Sequence, residues 1–140
     1  MKLTSTIISF AALFSVAYAQ TQTEPVRPNN FYDNSGTSLN NVACSNGNNG
    51  LVTRGFTDFG SLPTFPNIGG AFAVGAWNSP ECGSCWELTN PANGVTIYVT
   101  AIDTVFSGFD LSDQAVNTLS PGSSLVNVEA TQVPAYICGL

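Results

Sequence analysis

The sequence predicts a small, mainly β protein closed into a compact barrel. Short runs of β-branched and aromatic residues recur between Gly, Pro and Asn punctuation, while no long stretch repeats apolar residues with the helical period. Four cysteines stand behind a leader with the features of an export signal, and histidine is absent. An even cysteine count in a small exported domain reads as two disulfides. Several short strands, small helical inserts and covalent staples suit a barrel better than a helical bundle.

Residues 1–19 read as a signal peptide. Lys2 precedes a largely apolar stretch over 7–16, and Ala17-Tyr18-Ala19 then places small residues where signal peptidase requires them. That stretch falls short of the roughly 20 residues that span a bilayer, so no transmembrane segment is expected. Cleavage after Ala19 would leave 121 of the 140 residues, enough for one domain with a modest core. Residues 20–30, polar and containing Pro25 and Pro28, read as a flexible N-terminal arm. Residues 31–140 show neither repeats nor a change of composition, and read as one packed domain.

Strands are expected over 70–77, 86–89, 95–102 and 125–133. In the third, Val95, Ile97, Val99 and Ala101 would face one way and Thr96, Tyr98, Thr100 and Ile102 the other. Asn90-Pro91-Ala92-Asn93-Gly94 joins two strands as a hairpin loop, its Asn-Gly supplying positive φ. One short helix is expected after Ser112, which caps it. Asp113 favours its positive end, Ala115, Val116 and Leu119 form its apolar stripe, and Pro121-Gly122 stops it. A further helical turn or two is expected over 57–63.

Cys82-Gly83-Ser84-Cys85 has the spacing of a thiol redox pair or of half a zinc site. Zinc would need all four cysteines, since no histidine is present to share the task. A redox pair usually opens a helix, whereas Pro80 and the strand-like Trp86-Glu87-Leu88 flank this one. Structural disulfides joining Cys44, Cys82, Cys85 and Cys138 fit the compartment best. Three pairings remain open on spacing alone.

Loss of Lys2 with the leader takes the formal charge from −6 to −7 and leaves Arg27 and Arg54 as the strong bases. Nucleic-acid partners are disfavoured, because such binding neutralises several phosphates with Lys or Arg. Charged residues make up 9% of the chain against about a quarter in an average protein. A surface this poor in charge suits neutral, hydroxyl-rich ligands. No Asn-x-Ser/Thr acceptor with a permitted middle residue occurs, so N-glycosylation is not expected.

Acid-base chemistry without imidazole would rest on carboxylates. Asp103 ends a strand and Asp110 precedes the capped helix, with the Phe106-Ser107-Gly108 turn able to bring both to one rim. Two carboxylates flanking a sugar are what glycoside hydrolysis needs, while Asp in a tight loop commonly just accepts backbone hydrogen bonds. Among the aromatic residues, Trp77, Phe31, Tyr32, Phe106 and Phe109 are candidates for stacking on pyranose rings, and Trp86 is expected in the core. Phe106 and Phe109, in a Gly-containing loop beside the carboxylates, are the better exposed pair. Asn78 and Ser79 are candidate hydrogen-bonding partners of sugar hydroxyl or acetamido groups.

Several motifs in order carry a family resemblance: Val42-Ala43-Cys44-Ser45-Asn46-Gly47, Gly50-Leu51, Leu62-Pro63-Thr64-Phe65-Pro66-Asn67-Ile68-Gly69-Gly70, Trp77-Asn78-Ser79-Pro80, Cys82-Gly83-Ser84-Cys85-Trp86 and Cys138-Gly139. Together they resemble the cerato-platanins of filamentous fungi over nearly the whole mature chain. The resemblance implies a secreted, six-stranded double-psi β-barrel with short helices, related in fold to the first domain of expansins. It implies the pairing Cys44 with Cys82 and Cys85 with Cys138. It further implies a non-enzymatic protein that binds chitin or N-acetylglucosamine oligomers, with cellulose a further polymer, loosens walls without hydrolysis and elicits plant defence, with a plant host receptor and the fungal cell wall as its surroundings. No cofactor or metal is implied. Asp103 and Asp110 match positions lining the family's shallow ligand groove, and Phe109, Trp77, Asn78 and Ser79 complete the carbohydrate-binding candidates.

Three departures stand out. The family's first-strand Tyr-Asp falls on Pro28-Asn29, so that strand is expected to start late, and the base of related endoglucanases falls on the amide Asn29. Ala76 replaces a Gly before the Trp. Phe109-Asp110-Leu111-Ser112 carries Asp where many members have Asn, and resembles the expansin motif. Two rival functions follow: a surface-active elicitor acting through a protein surface, and a weak endoglucanase using Asp103 and Asp110.

Overall fold

A computed structural model describes residues 2–9 and 19–140. Most of the leader's apolar stretch and its Ala17-Tyr18 end lie outside the described residues. Six strands, β1 (Thr21–Pro28), β2 (Ile68–Ala71), β3 (Cys85–Thr89), β4 (Thr96–Thr104), β5 (Phe109–Leu111) and β6 (Val126–Val133), close a barrel in the order β1-β5-β2-β4-β3-β6. The β1/β5 and β2/β4 pairs are parallel and the other four antiparallel. This is the expected six-stranded double-psi barrel. Among the described residues the one α-helix, α1 (Asp113–Leu119), lies between β5 and β6.

Closure depends on the segment that the sequence reading assigned to a flexible arm. Thr21 to Val26 pair antiparallel with β6, and Val26 to Pro28 pair parallel with β5, so β1 joins the two ends of the sheet. It also starts earlier than the family alignment suggested. Proline in a strand is tolerated where a neighbour is missing or the strand ends. Pro25 meets the first condition, pairing with β6 before β5 joins at Val26, and Pro28 meets the second as the last residue of β1. Without β1 the free edges of β5 and β6 would be exposed as templates for aggregation.

The expected strand over 70–77 is shorter and earlier, at Ile68–Ala71. Gly69 was no strand signal, yet a Cβ there would overlap the Asp110 carbonyl oxygen of the adjoining strand. After Ala71 the chain turns, with Val74 N donating to Ala71 O at 3.0 Å. The expected 86–89, 95–102 and 125–133 strands are present within a residue or two, and β5 was missed because three residues carry no period.

Apolar side chains of all six strands fill the barrel. Phe109 and Trp86, both buried, meet edge to face at 5.5 Å, and each also packs on Phe72. Full burial of each such ring contributes on the order of 3 kcal/mol. Phe109 is therefore a core residue, which corrects its assignment as an exposed stacking ring.

The helix forms as expected. Ser112 Oγ accepts from Ala115 N at 3.0 Å, and the stripe Ala115, Val116 and Leu119 is buried. A remote carboxylate completes the cap: Asp33 accepts from Asp113 N at 3.0 Å and from Gln114 N at 3.1 Å. Placing negative charge on the otherwise orphaned N–H groups stabilises a helix too short to persist alone. The expected turn near 57–63 is a 3-10 turn, Phe59–Ser61, capped by Asp58.

Both disulfides form with the implied pairing. Cys44–Cys82 and Cys85–Cys138 have Cα atoms 5.3 and 5.7 Å apart, and no described cysteine is free. The Cys82/Cys85 redox and four-thiolate zinc alternatives are thereby removed. The bridges span sequence separations of 38 and 53 residues, each worth about 4 kcal/mol in the chain-entropy account.

Candidate functional site

The site grows out of a break in strand regularity. From Thr96 to Val99 exposed and buried residues alternate as expected, but Thr100, Ala101 and Ile102 are all buried. The outer face there is covered: Thr64 Oγ1 lies 2.6 Å from Thr100 Oγ1, and Cys44 N donates to Ile102 O at 3.1 Å. Against β2, Gly69 pairs with Ala101 but Gly70 pairs with Asp103, skipping Ile102. Strict alternation would turn Asp103 inward with Val99 and Ala101. The bulge returns it to the outer face, the usual effect of an extra residue in one strand.

Gly70 pairs on its other side with Asp110, and Asp110 pairs in turn with Arg27. Paired residues share a face, so Arg27, Asp110, Gly70 and Asp103 make one outward row across β1, β5, β2 and β4. Gly70 contributes no side chain and is buried between the two carboxylates, where the Thr104 carbonyl oxygen and Val105 Cβ come within 3.2 and 3.4 Å of where its Cβ would stand. The two lie on the same rim, as the sequence suggested, separated at the backbone by two strand spacings, roughly 10 Å.

Each carboxylate has its own partners. Asp103 accepts from Tyr32 OH at 3.1 Å through Oδ2, and from Ala43 N at 3.0 Å and Thr104 N at 2.9 Å through Oδ1. Tyr32 is buried, not displayed for stacking. Burial, then the nearby Asp103 charge and its hydrogen bond, and then Asp110, raise the Tyr32 hydroxyl pKa far above the usual tyrosine value. It stays a neutral donor. The hydroxyl hangs over the floor of the row, 3.4 Å from where a Gly70 Cβ would stand. Asp110 is ion-paired with Arg27, Nε to Oδ1 at 2.9 Å, and the pair is about one-third exposed. Arg27 also donates through Nη2 to the carbonyl of Ser107.

The remaining candidates stand apart. Trp77 is 59% exposed, and its indole Nε1 donates to Asn46 Oδ1 at 2.8 Å. Asn78 adopts positive φ (61°), accepts from Asn49 N at 2.9 Å and receives Asn49 Nδ2 on its carbonyl at 3.0 Å. Ser79 Oγ accepts from Glu81 N at 3.1 Å. Asn78 and Ser79 thus hold turns, and none of the three hydrogen-bonds to either carboxylate. Asn29, where a catalytic base would fall, accepts from Phe31 N at 3.1 Å and anchors a 3-10 turn. Among the described residues no three His, Cys, Asp or Glu side chains gather as a metal site requires, and no described helix is long and apolar enough to cross a membrane.

Arg27 and Gly70 were missed in the sequence. Arg27 offered one signal, as one of three Lys and Arg residues in an acidic chain. Gly70 offered only the Gly-Gly pair, which reads as a breaker in a strand.

A histidine-free chain folded into a closed double-psi barrel, stapled twice and bearing an outward polar row, defines a class of small disulfide-bonded barrel proteins. The family model for cerato-platanin matches residues 25–140, and the chain belongs to that family. It is similar to allergen Asp f 15 of Aspergillus fumigatus, with 52% identity over 102 residues, 71% of this chain and 65% of the relative. It resembles the heat-stable 19 kDa antigen of Coccidioides immitis at 39% identity, covering 78% of this chain and 76% of the antigen. Of a homologue of Asp f 15 in Arthroderma benhamiae, 53% identical, it spans only 43%. Cerato-platanin 2 of M. perniciosa superposes with TM-score 0.80 at 39% identity, over 85% of this chain and all of that one. The fungal elicitor cerato-platanin superposes with TM-score 0.71 at 35% identity, over 81% of this chain and 95% of that one.

Proposed function

We propose that this chain is a secreted carbohydrate-binding protein that recognises chitin or N-acetylglucosamine oligomers along the outward row, loosens wall polysaccharide without cutting it, and acts as an elicitor of plant defence. The observation that carries the binding reading is the pairing of Gly70 with both Asp103 and Asp110, which sets two half-buried acceptor groups on one outward row. A sugar chain laid across that row meets acceptors for its hydroxyl and acetamido N–H groups, with the Tyr32 hydroxyl and Val105 between them. Binding that competes with interchain hydrogen bonds loosens a polymer without breaking a glycosidic bond. The elicitor reading is supported by the likeness to cerato-platanin, a fungal elicitor. Export is supported by the leader and the two disulfides.

The endoglucanase rival is less well supported. A glycosidase needs one carboxyl group holding a proton for the leaving oxygen, whereas Asp110 faces a guanidinium and Asp103 faces three donors. Chemical-shift mapping of a chitin-oligomer titration tests the binding reading, with the largest shifts expected at Gly70, Asp103, Thr104 and Asp110. Shifts confined to another face would overturn it. Reducing ends released from carboxymethylcellulose or chitin above the level of an Asp110→Asn control would restore the enzyme reading.

A further inference from the structure

The loop from β4 to β5 displays Phe106 fully exposed. A lone apolar side chain in water is ordinary, but the backbone that follows this one is tethered. The Ser107 carbonyl accepts from Arg27 Nη2, and the Gly108 carbonyl accepts from Phe72 N at 2.9 Å. Gly108 has φ +62°, and a Cβ on it would overlap the Pro25 carbonyl of β1. On the other side of Phe106, Val105 covers the buried Gly70, its Cβ 3.4 Å from where a Gly70 Cβ would stand. The ring is thus the free part of a tethered loop, one residue from the row's floor and one from its guanidinium.

Arg27 joins the loop to the row. Its Nε holds Asp110 while its Nη2 holds Ser107, a two-armed grip that the planar guanidinium makes and a lysine ammonium does not. We propose that Arg27 is a positioning residue that presents Phe106 as a stacking platform at the Asp110 end of the row, and that the platform takes the flat apolar face of a β-linked hexosamine ring. This rests on the carbohydrate-binding reading above. A loop backbone ordered before binding leaves only the ring's own rotamers to be fixed in the complex. Of the two rings singled out from sequence, Phe106 is exposed and Phe109 is buried.

The test is calorimetry with the β-1,4-linked N-acetylglucosamine hexamer on the full mature chain and four variants: Phe106→Ala, Arg27→Gln, Arg27→Lys and Phe106→Ala with Arg27→Gln. Phe106→Ala should weaken binding on the order of tenfold, the scale of one aromatic contact. Arg27→Gln should match it, Arg27→Lys should not rescue, and the double variant should bind no worse than either single one, the signature of two residues acting as one. Relaxation of the Ser107 and Gly108 amides should show added motion in Arg27→Gln and none in Phe106→Ala. Independent, multiplying losses would show that Arg27 does not act through Phe106 and would overturn the positioning role. Unchanged binding by Phe106→Ala, with loss in Asp103→Ala, would overturn the platform and leave the carbohydrate reading standing. Absence of binding by the unaltered protein would overturn both.

Discussion

Asp103 and Asp110 face the same residue, Gly70, from opposite sides, one across a parallel pairing and one across an antiparallel pairing. They are not equivalent. Asp103 is held by neutral donors and Asp110 by the Arg27 guanidinium. Asp103 therefore carries its charge without a cationic partner, while the charge of Asp110 is matched within the protein.

That asymmetry sets the first prediction. Asp103→Ala should weaken chitin-oligomer binding by roughly 1.5 to 3 kcal/mol, the scale of a hydrogen bond to a charged group, and Asp110→Asn, which keeps an acceptor, should do much less. Asp103→Ala also strands Tyr32 OH and Ala43 N, so it should lower stability by about 1–3 kcal/mol. Asp103→Asn, which keeps one acceptor oxygen, should be milder. Calorimetry and urea denaturation on the three variants check both expectations; equal, complete loss of binding from both positions would indicate an acid-base pair.

A second prediction concerns alkaline pH. Tyr32 has its folded pKa raised by burial and by Asp103, so above the unfolded tyrosine value of about 10 the folded chain keeps a proton that the unfolded chain loses. Stability from this group is therefore complete below about pH 10 and falls as pH rises, by up to about 1.4 kcal/mol per unit. Tyr32→Phe should flatten that slope while losing the hydrogen bond to Asp103 at neutral pH. Denaturant midpoints measured from pH 8 to 12 on both proteins decide it.

The third prediction separates two glycines. Gly69→Ala drives a methyl group into the Asp110 carbonyl between β2 and β5, whereas a Cβ on Gly75 meets nothing within 4 Å. Gly69→Ala should cost about 3 kcal/mol and disturb the Asp110 amide. Gly75→Ala should leave stability within about 0.5 kcal/mol. Thermal denaturation ranks them directly.

For the disulfides, opening either bridge alone, as Cys44→Ala with Cys82→Ala or as Cys85→Ala with Cys138→Ala, should remove about 4 kcal/mol. Such a loss is a large part of the stability of a domain this size. Reduction of the unaltered protein should abolish heat tolerance. Non-reducing peptide maps and melting curves measure both.

The residues themselves determined much of this protein. Three strands, part of a fourth and the capped helix follow from local pattern and residue type, which act over a few residues and so are visible in a linear chain. The family motifs added the barrel topology and the cysteine pairing, which spacing left open. What the tertiary structure decided lies in contacts between distant segments. Thr21–Pro28 became a strand because both sheet ends lacked a partner, and β5 exists in three residues because two neighbours hold it. Phe109 points inward because Val26 and Ala71 flank it in register. Asp103 points outward because a bulge shifts it by one residue. A one-residue shift exchanges the two faces of a strand without changing its composition, so the side on which a carboxylate or a ring emerges is settled by register and not by the order of amino acids around it.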